Sequence, residues 1–97
     1  MIYLYKQFPI DEVQKIISRD FNNHEIVRIT DQIIDESIIK HSLESENLFL
    51  TPRLIFISGI QRDFWDTVIE SLSYLPATTT VVWLEDSFPM AYLKKVP

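Results

Sequence analysis

The sequence alternates short, almost wholly apolar runs with stretches whose apolar residues recur at helical spacing. Such short runs are typical of strands buried on both faces, and the intervening stretches are typical of amphipathic helices. A strand–helix repeat favours a parallel sheet, because each parallel crossover needs a helix to return the chain. We therefore predict an α/β protein, a three-layer α/β/α fold with a mostly parallel four-stranded sheet.

The predicted elements follow one another with short connections. The strands are expected at residues 2–5, 25–29, 54–57 and 79–84, and the helices at 10–21, 35–44, 62–75 and 87–95. Residues 2–5 are almost uniformly apolar, which favours a central strand, whereas residues 25–29 alternate and favour an edge. Asp35 is a good N-cap for the second helix, whose predicted apolar stripe is Ile38, Ile39 and Leu43.

Composition limits the classes of function. A chain of 97 residues makes a single domain, 1–97, and an apolar content of 46% with one glycine favours a folded one. The net charge of −5 argues against direct nucleic-acid binding, because phosphate backbones repel an acidic domain. Without cysteine, a signal peptide or an apolar run of about 18–20 residues, the expected location is the cytoplasm, with no membrane contact.

The turn after the first strand lacks the features of a phosphate-binding loop. It reads Lys6-Gln7-Phe8-Pro9, with no glycine, a proline that removes a backbone donor, and no Gly-Lys pair after it. His24 and His41 have no ligand-like spacing, and both are expected at the surface. No nucleophile–base arrangement stands out, so we predict no catalytic residue, no metal site and no cofactor.

Two features leave alternatives open. Glu85-Asp86 follows an apolar strand, as metal-holding acids do in nucleotide-binding domains, but the pair also fits an acidic loop in which Asp86 or Ser87 caps the last helix. Trp65 and Trp83 fit a core better than a base-stacking surface. A small doubly wound nucleotide- or metal-binding regulatory domain is therefore the alternative function, which calorimetry with magnesium and ATP would distinguish.

The most unusual segment lies between the second helix and third strand. It carries Leu48 and Phe49 between polar residues, and Pro52 prevents its simple continuation as a helix. The two side chains either fold into the core or project as an anchor for a partner. Burying both in a partner would contribute about 3–6 kcal/mol before the costs of association.

The sequence resembles the N-terminal domain of the bacterial DNA polymerase III delta subunit, which is part of the clamp loader. The resemblance lies in the order of the elements and in Asn47-Leu48-Phe49, which continues through Arg53 into an apolar strand. In that family a Leu-Phe pair after the second helix, often ending a Gln-x-x-Ser-Leu-Phe-like stretch, inserts into the hydrophobic pocket of the sliding clamp. Here Glu44 stands in place of the glutamine and Asn47 in place of the small polar residue.

The resemblance implies a non-catalytic domain that binds, and helps open, the DNA sliding clamp (the beta subunit) during replication. The expected partner-binding residues are Glu44, Asn47, Leu48, Phe49 and Leu50. It also implies a P-loop-NTPase-like (AAA+-like) topology without a functional P-loop. The family's lid and collar domains are missing, so we expect the N-terminal part of a longer subunit that meets other clamp-loader subunits. An adaptor that binds another protein through the same segment is a further alternative.

Overall fold

Four parallel strands form one sheet in a computed structural model, which describes residues 2–6, 9–30, 32, 35–45 and 52–97. The strands are β1 (Ile2–Lys6), β2 (Glu25–Ile29), β3 (Arg53–Ser58) and β4 (Thr79–Glu85). They lie in the order β1-β4-β3-β2, and each neighbouring pair is parallel. The predicted parallel α/β fold is confirmed at this level.

The first three helices connect successive strands and the fourth follows β4, as predicted. They are α1 (Ile10–Asp20), α2 (Glu36–Glu44), α3 (Trp65–Leu72, preceded by a 3-10 turn at Arg62–Phe64) and the short α4 (Met90–Leu93). Asp35 caps α2, since its side chain accepts a hydrogen bond of 2.9 Å from the backbone N–H of Ser37. No helix in the described part of the chain is long and apolar enough to cross a membrane.

Each face of the sheet carries its own hydrophobic core. The connection from β1 to β2 runs across the sheet in one direction, and the connections from β2 to β3 and from β3 to β4 run in the other. Because such crossovers are right-handed, α1 lies on one face of the sheet, and α2 and α3 lie on the other. The α1-side core is formed by Val13, Ile17, Leu54, Phe56, Val82 and Leu84. The α2/α3-side core contains Ile29, Ile39, Leu43, Ile55, Ile57, Ile60, Trp65, Val68, Ile69, Leu72, Val81 and Trp83.

Two predictions from apolar patterning were wrong in detail. Within the described residues β1 pairs with β4 alone and so lies at an edge of the sheet, where we had expected a central strand. Leu4 packs partly buried on the α2/α3-side core and Tyr5 on the α1-side core, but no residue of β1 is fully buried and Tyr3 is 37% exposed. Ile38 lies off the buried stripe of α2 and is 45% exposed. An unbroken apolar run of this length therefore did not distinguish an edge strand from a central one.

Candidate functional site

The predicted partner-binding segment leaves the described structure after α2 and returns to it before β3. Asn47, Leu48, Phe49 and Leu50 lie outside the described residues, so the predictions about them stay predictions. Glu44, Ser45, Pro52 and Arg53 are described and bracket the segment. Their contacts show how its two ends are held.

The first end is joined to α3. Glu44 is the last residue of α2, and its Oε2 accepts a hydrogen bond of 3.0 Å from the Oγ of Ser71, a fully buried residue of α3. Ser45 then closes the helix, since its backbone N–H and its hydroxyl both donate to the carbonyl of His41, at 3.2 and 2.5 Å. Glu44, which we predicted to contact a partner, is thus already engaged inside the domain.

The second end is joined to the start of the sheet. The Pro52 carbonyl accepts a hydrogen bond of 2.9 Å from the backbone N–H of Glu25, and the Arg53 N–H donates to the Thr78 carbonyl at 3.0 Å. The Arg53 side chain, only 11% exposed, turns back and donates from Nη1 to the Ser45 carbonyl at 3.0 Å. Arg53, which follows the segment, therefore holds Ser45, the residue just before it.

Neither Arg53 nor Ser71 was singled out as a site residue from sequence. Arg53 is the only lysine or arginine between Lys40 and Arg62, so a lone cation beside an apolar segment was a usable signal. Ser71 gave no comparable signal, because its contact with Glu44 joins positions 27 residues apart.

A second candidate region is a crevice at the C-terminal ends of the strands, opposite the strand starts where Arg53 lies. It has a volume of about 500 Å³ and is lined by Pro9, Ile10, Ser58, Gly59, Leu84, Glu85 and Asp86. It opens between the ends of β1 and β4, whose following helices lie on opposite faces of the sheet. Open α/β sheets place their ligands at such switch points, so this is where a nucleotide would be sought.

The crevice contains a carboxylate that is already satisfied by the protein. Glu85 Oε2 accepts hydrogen bonds from the indole Nε1 of Trp83 at 2.8 Å and from the backbone N–H of Ile60 at 3.1 Å. Partial burial raises the pKa of Glu85 above its ordinary value, and the two hydrogen bonds partly offset that effect. Glu85 therefore joins the end of β4 to the turn after β3.

The two tryptophans belong to the core, as predicted. Trp65 and Trp83 are 3% and 1% exposed and meet edge to face, with ring centroids 5.2 Å apart. Phe88 contacts both rings, which fastens the chain after β4 to the α2/α3-side core. The expectation that Asp86 or Ser87 caps the last helix was wrong, because Pro89 occupies the N-cap of α4 without a side-chain hydrogen bond.

The histidines differ in burial. His41 is exposed, as expected, whereas His24 is half-buried and packs edge to face on Phe21 at 5.0 Å, so the surface prediction for His24 was wrong. Among the described residues, no group of three or more His, Asp or Glu is placed to hold a metal ion. His24 therefore contributes to packing beside the turn that leads into β2.

Comparisons of the chain with protein-family profiles, with curated proteins and with solved structures gave no match. Function must therefore be inferred from the residues and their geometry. The two regions that bear on it are the described residues on either side of positions 46–51 and the Glu85 crevice at the ends of the strands.

Proposed function

We propose that this domain is a non-catalytic clamp-loader module that grips a DNA sliding clamp through Leu48 and Phe49. Its topology, on this proposal, is that of a P-loop NTPase without a working P-loop. The observation that carries the proposal is the Leu48-Phe49 pair in a segment whose ends are both anchored at one edge of the sheet.

The anchored residues on either side of positions 46–51 favour binding through that segment. Glu44 is hydrogen-bonded to α3, and Arg53 donates to the Ser45 carbonyl. The Arg53 Nε also lies 3.9 Å from Oε2 of Glu25, at the start of β2. Because the flanking residues are already ordered, a partner that captures the segment pays less conformational entropy than it would for a free loop. Two large apolar side chains on such a base make a compact anchor for a hydrophobic pocket.

The crevice supports the non-catalytic part of the proposal. Pro9 lies in it at the position where phosphate-binding loops supply backbone N–H donors, and proline has none. Glu85, the acid best placed to hold a metal there, already accepts two internal hydrogen bonds. The one glycine of the chain, Gly59, lies in the turn after β3, where its φ is +63°. It does not lie in the turn after β1, where a phosphate-binding loop would need it.

Clamp opening follows if the bound segment fits the opened ring better than the closed one. A ligand shifts a conformational equilibrium only by its difference in affinity for the two states. On this proposal the anchored base of the segment transmits that difference to the rest of the loader.

Replacing Leu48 and Phe49 together by alanine is expected to abolish binding to the sliding clamp of the same organism. The loss follows from removing about 3–6 kcal/mol of apolar burial at the interface. Binding is measured by calorimetry or surface plasmon resonance with the 97-residue chain, and the melting temperature of the double variant should stay almost unchanged.

The matched control replaces two other apolar side chains, Met90 and Leu93, by alanine. They are 66% and 38% exposed and belong to α4, which follows the end of β4, so clamp binding should persist. A wild-type chain that does not bind the clamp contradicts the proposal. A large fall in the melting temperature of the Leu48/Phe49 variant would assign the pair to the core. Retained clamp binding by that variant would point to an adaptor surface elsewhere.

A further inference from the structure

The two edge strands of the sheet differ in how they are protected against pairing with another chain. Edge strands usually carry charged residues, a proline or a bulge, because their outer backbone groups can otherwise pair with a further strand. The β2 edge follows this rule, since Glu25 and Arg28 are both exposed on it. The β1 edge does not, because its register with β4 is regular from Ile2 to Lys6 and its single charge, Lys6, stands at its end. Within the described residues, the outer edge of β1 is therefore available to a further strand.

The side chains beside this edge are mostly apolar and leave space on the α1 side. Tyr3 is 37% exposed, and together with Tyr5, Ile16 and Phe21 it lines a pocket of about 110 Å³ between β1 and α1. Leu4 points to the opposite face, where it packs on the α2/α3-side core. An added strand would place alternate side chains over the pocket and cover Tyr3, because directly opposite residues of paired strands lie on the same face.

We infer that β1 is a dimerisation strand, which pairs antiparallel with β1 of a second copy about a two-fold axis at Leu4 and joins the two sheets into one. This inference is independent of the proposed function, because it uses neither positions 46–51 nor the crevice at Glu85. The interface consists of the outer edge of β1 and the pocket beside it.

The sequence of β1 suits pairing with itself. It is symmetric about Leu4, so antiparallel pairing places Tyr3 of each copy opposite Tyr5 of the other and Leu4 opposite Leu4. Aromatic pairs across neighbouring strands stabilise a sheet, and each pocket can receive the edge of a tyrosine ring from the second copy. A two-fold contact is also complete with two copies, whereas pairing of β1 with the β2 edge of another copy would continue into a fibre.

The charges at the two ends of β1 favour the antiparallel direction. Lys6 ends the strand, whereas Asp20, the last residue of α1, lies beside its start and lines the same pocket as Tyr3. Antiparallel pairing brings the Lys6 end of one copy next to the Asp20 end of the other, and parallel pairing would bring like charges together. Asp20 is exposed and also pairs with Arg19 at 2.9 Å, so this attraction sets the direction of pairing more than its strength.

The contact is small, so the dimer is expected only at high protein concentration. A contact built on one five-residue strand from each copy lies at or below the low end of specific interfaces, which bury about 1,200–2,000 Å². In sedimentation equilibrium, the weight-average mass of the 97-residue chain should rise from that of one chain toward that of two between about 1 μM and about 1 mM.

Tyr3→Lys is expected to keep the mass at that of one chain over the whole range, because it places a charge within the contact. Ile26→Lys is the matched control, since Ile26 is 39% exposed on the other edge strand, and it should dimerise like the wild type. Circular dichroism checks that each variant folds, and Tyr3→Thr replaces Tyr3→Lys if the lysine variant does not. A wild type that stays monomeric up to about 1 mM overturns the inference. Dimerisation that survives the Tyr3 change, or that Ile26→Lys also removes, overturns it as well.

Leu4→Cys tests the register of the pairing. The chain contains no cysteine, and Leu4 faces its own copy across the two-fold axis, where opposite Cα atoms of antiparallel strands lie about 4.5–5.5 Å apart. This separation suits a disulfide, so mild oxidation should link folded Leu4→Cys chains into dimers. Ile26→Cys, on the exposed β2 edge, should stay unlinked under the same conditions. Equal linking of the two variants, or no linking of folded Leu4→Cys chains, contradicts a two-fold axis at Leu4.

Discussion

Single polar side chains join distant parts of this domain at both ends of its strands. Where the strands begin, Arg53 contacts α2 and the start of β2, and where they end, Glu85 links β4 to the turn that precedes α3. The Glu85 link extends further, because Ile60 donates its N–H to Glu85 and accepts a hydrogen bond of 3.1 Å at its carbonyl from Trp65 Nε1. Both backbone groups of Ile60 are thereby satisfied away from water.

Glu85→Gln is expected to change how stability depends on pH. Burial raises the folded-state pKa of Glu85, so its contribution to stability is full below its ordinary value of 4.5 and is lost as pH rises through the folded-state value. The free energy of unfolding of the wild type should therefore fall, relative to the glutamine variant, between pH 4.5 and pH 7. Urea unfolding of both proteins at the two pH values measures this difference.

Glu70→Gln, on the exposed side of α3, is the control for replacing a surface carboxylate by an amide. A constant difference between wild type and Glu85→Gln would show that burial of the carboxylate does not govern its protonation. The amide oxygen of glutamine can still accept from Trp83 and Ile60, so the variant keeps the hydrogen-bonded link.

Among the elements, α2 has the most direct connection to the proposed binding segment. It ends at Glu44, next to the anchors of the segment, and its buried side chains Ile39 and Leu43 pack in the α2/α3-side core. It is also the one described α-helix whose N-cap residue forms a side-chain hydrogen bond, since α1, α3 and α4 begin without one. The start of α2 therefore depends on Asp35.

Asp35→Ala is expected to lower the melting temperature by about 4–8 °C, the shift that corresponds to losing one helix cap in a domain of this size. The cause is the lost hydrogen bond from the Ser37 N–H to Asp35 Oδ1. Differential scanning calorimetry measures the shift. Asp35→Asn keeps a side-chain oxygen that can accept this bond and should melt close to wild type. Equal destabilisation by both substitutions would mean that the cap hydrogen bond is not what stabilises α2.

At the scale of the whole molecule, one sheet separates two cores that, among the described residues, have no buried residue in common. The α1-side core and the α2/α3-side core use alternate residues of β3 and β4, because successive side chains of a strand point to opposite faces. Leu54 and Phe56 face α1, whereas Ile55 and Ile57 face α2 and α3. The central strands β3 and β4 therefore contribute side chains to both cores.

Ile17→Val and Ile39→Val, one in each core, are each expected to lower the free energy of unfolding by about 0.5–1.5 kcal/mol through loss of one buried methylene. Because the two residues belong to separate clusters in the described part of the chain, the double variant should show the sum of the two losses to within about 0.5 kcal/mol. Chemical unfolding followed by tryptophan fluorescence and by far-ultraviolet circular dichroism provides the values. Different midpoints of unfolding from the two probes would show that the layers unfold independently.

The sequence by itself determined the class of fold, the order of the elements and the Asp35 cap, because apolar periodicity and capping depend on residues close together in the chain. It also identified Leu48 and Phe49 as a candidate anchor, and their role remains a prediction because they lie outside the described residues. Only the tertiary structure decided that β1 lies at an edge, since strand order is set by contacts between β1 and β4, about 80 residues apart.

The same distinction holds for the polar links at the site. Arg53 reaches Ser45, eight residues away, and Ile60 reaches Glu85 across 25 residues. No local pattern predicts such pairings, because they depend on which strand ends and turns the folded sheet brings together. The local sequence therefore determined which elements form, and the packing of the sheet decided which side chains hold those elements in place.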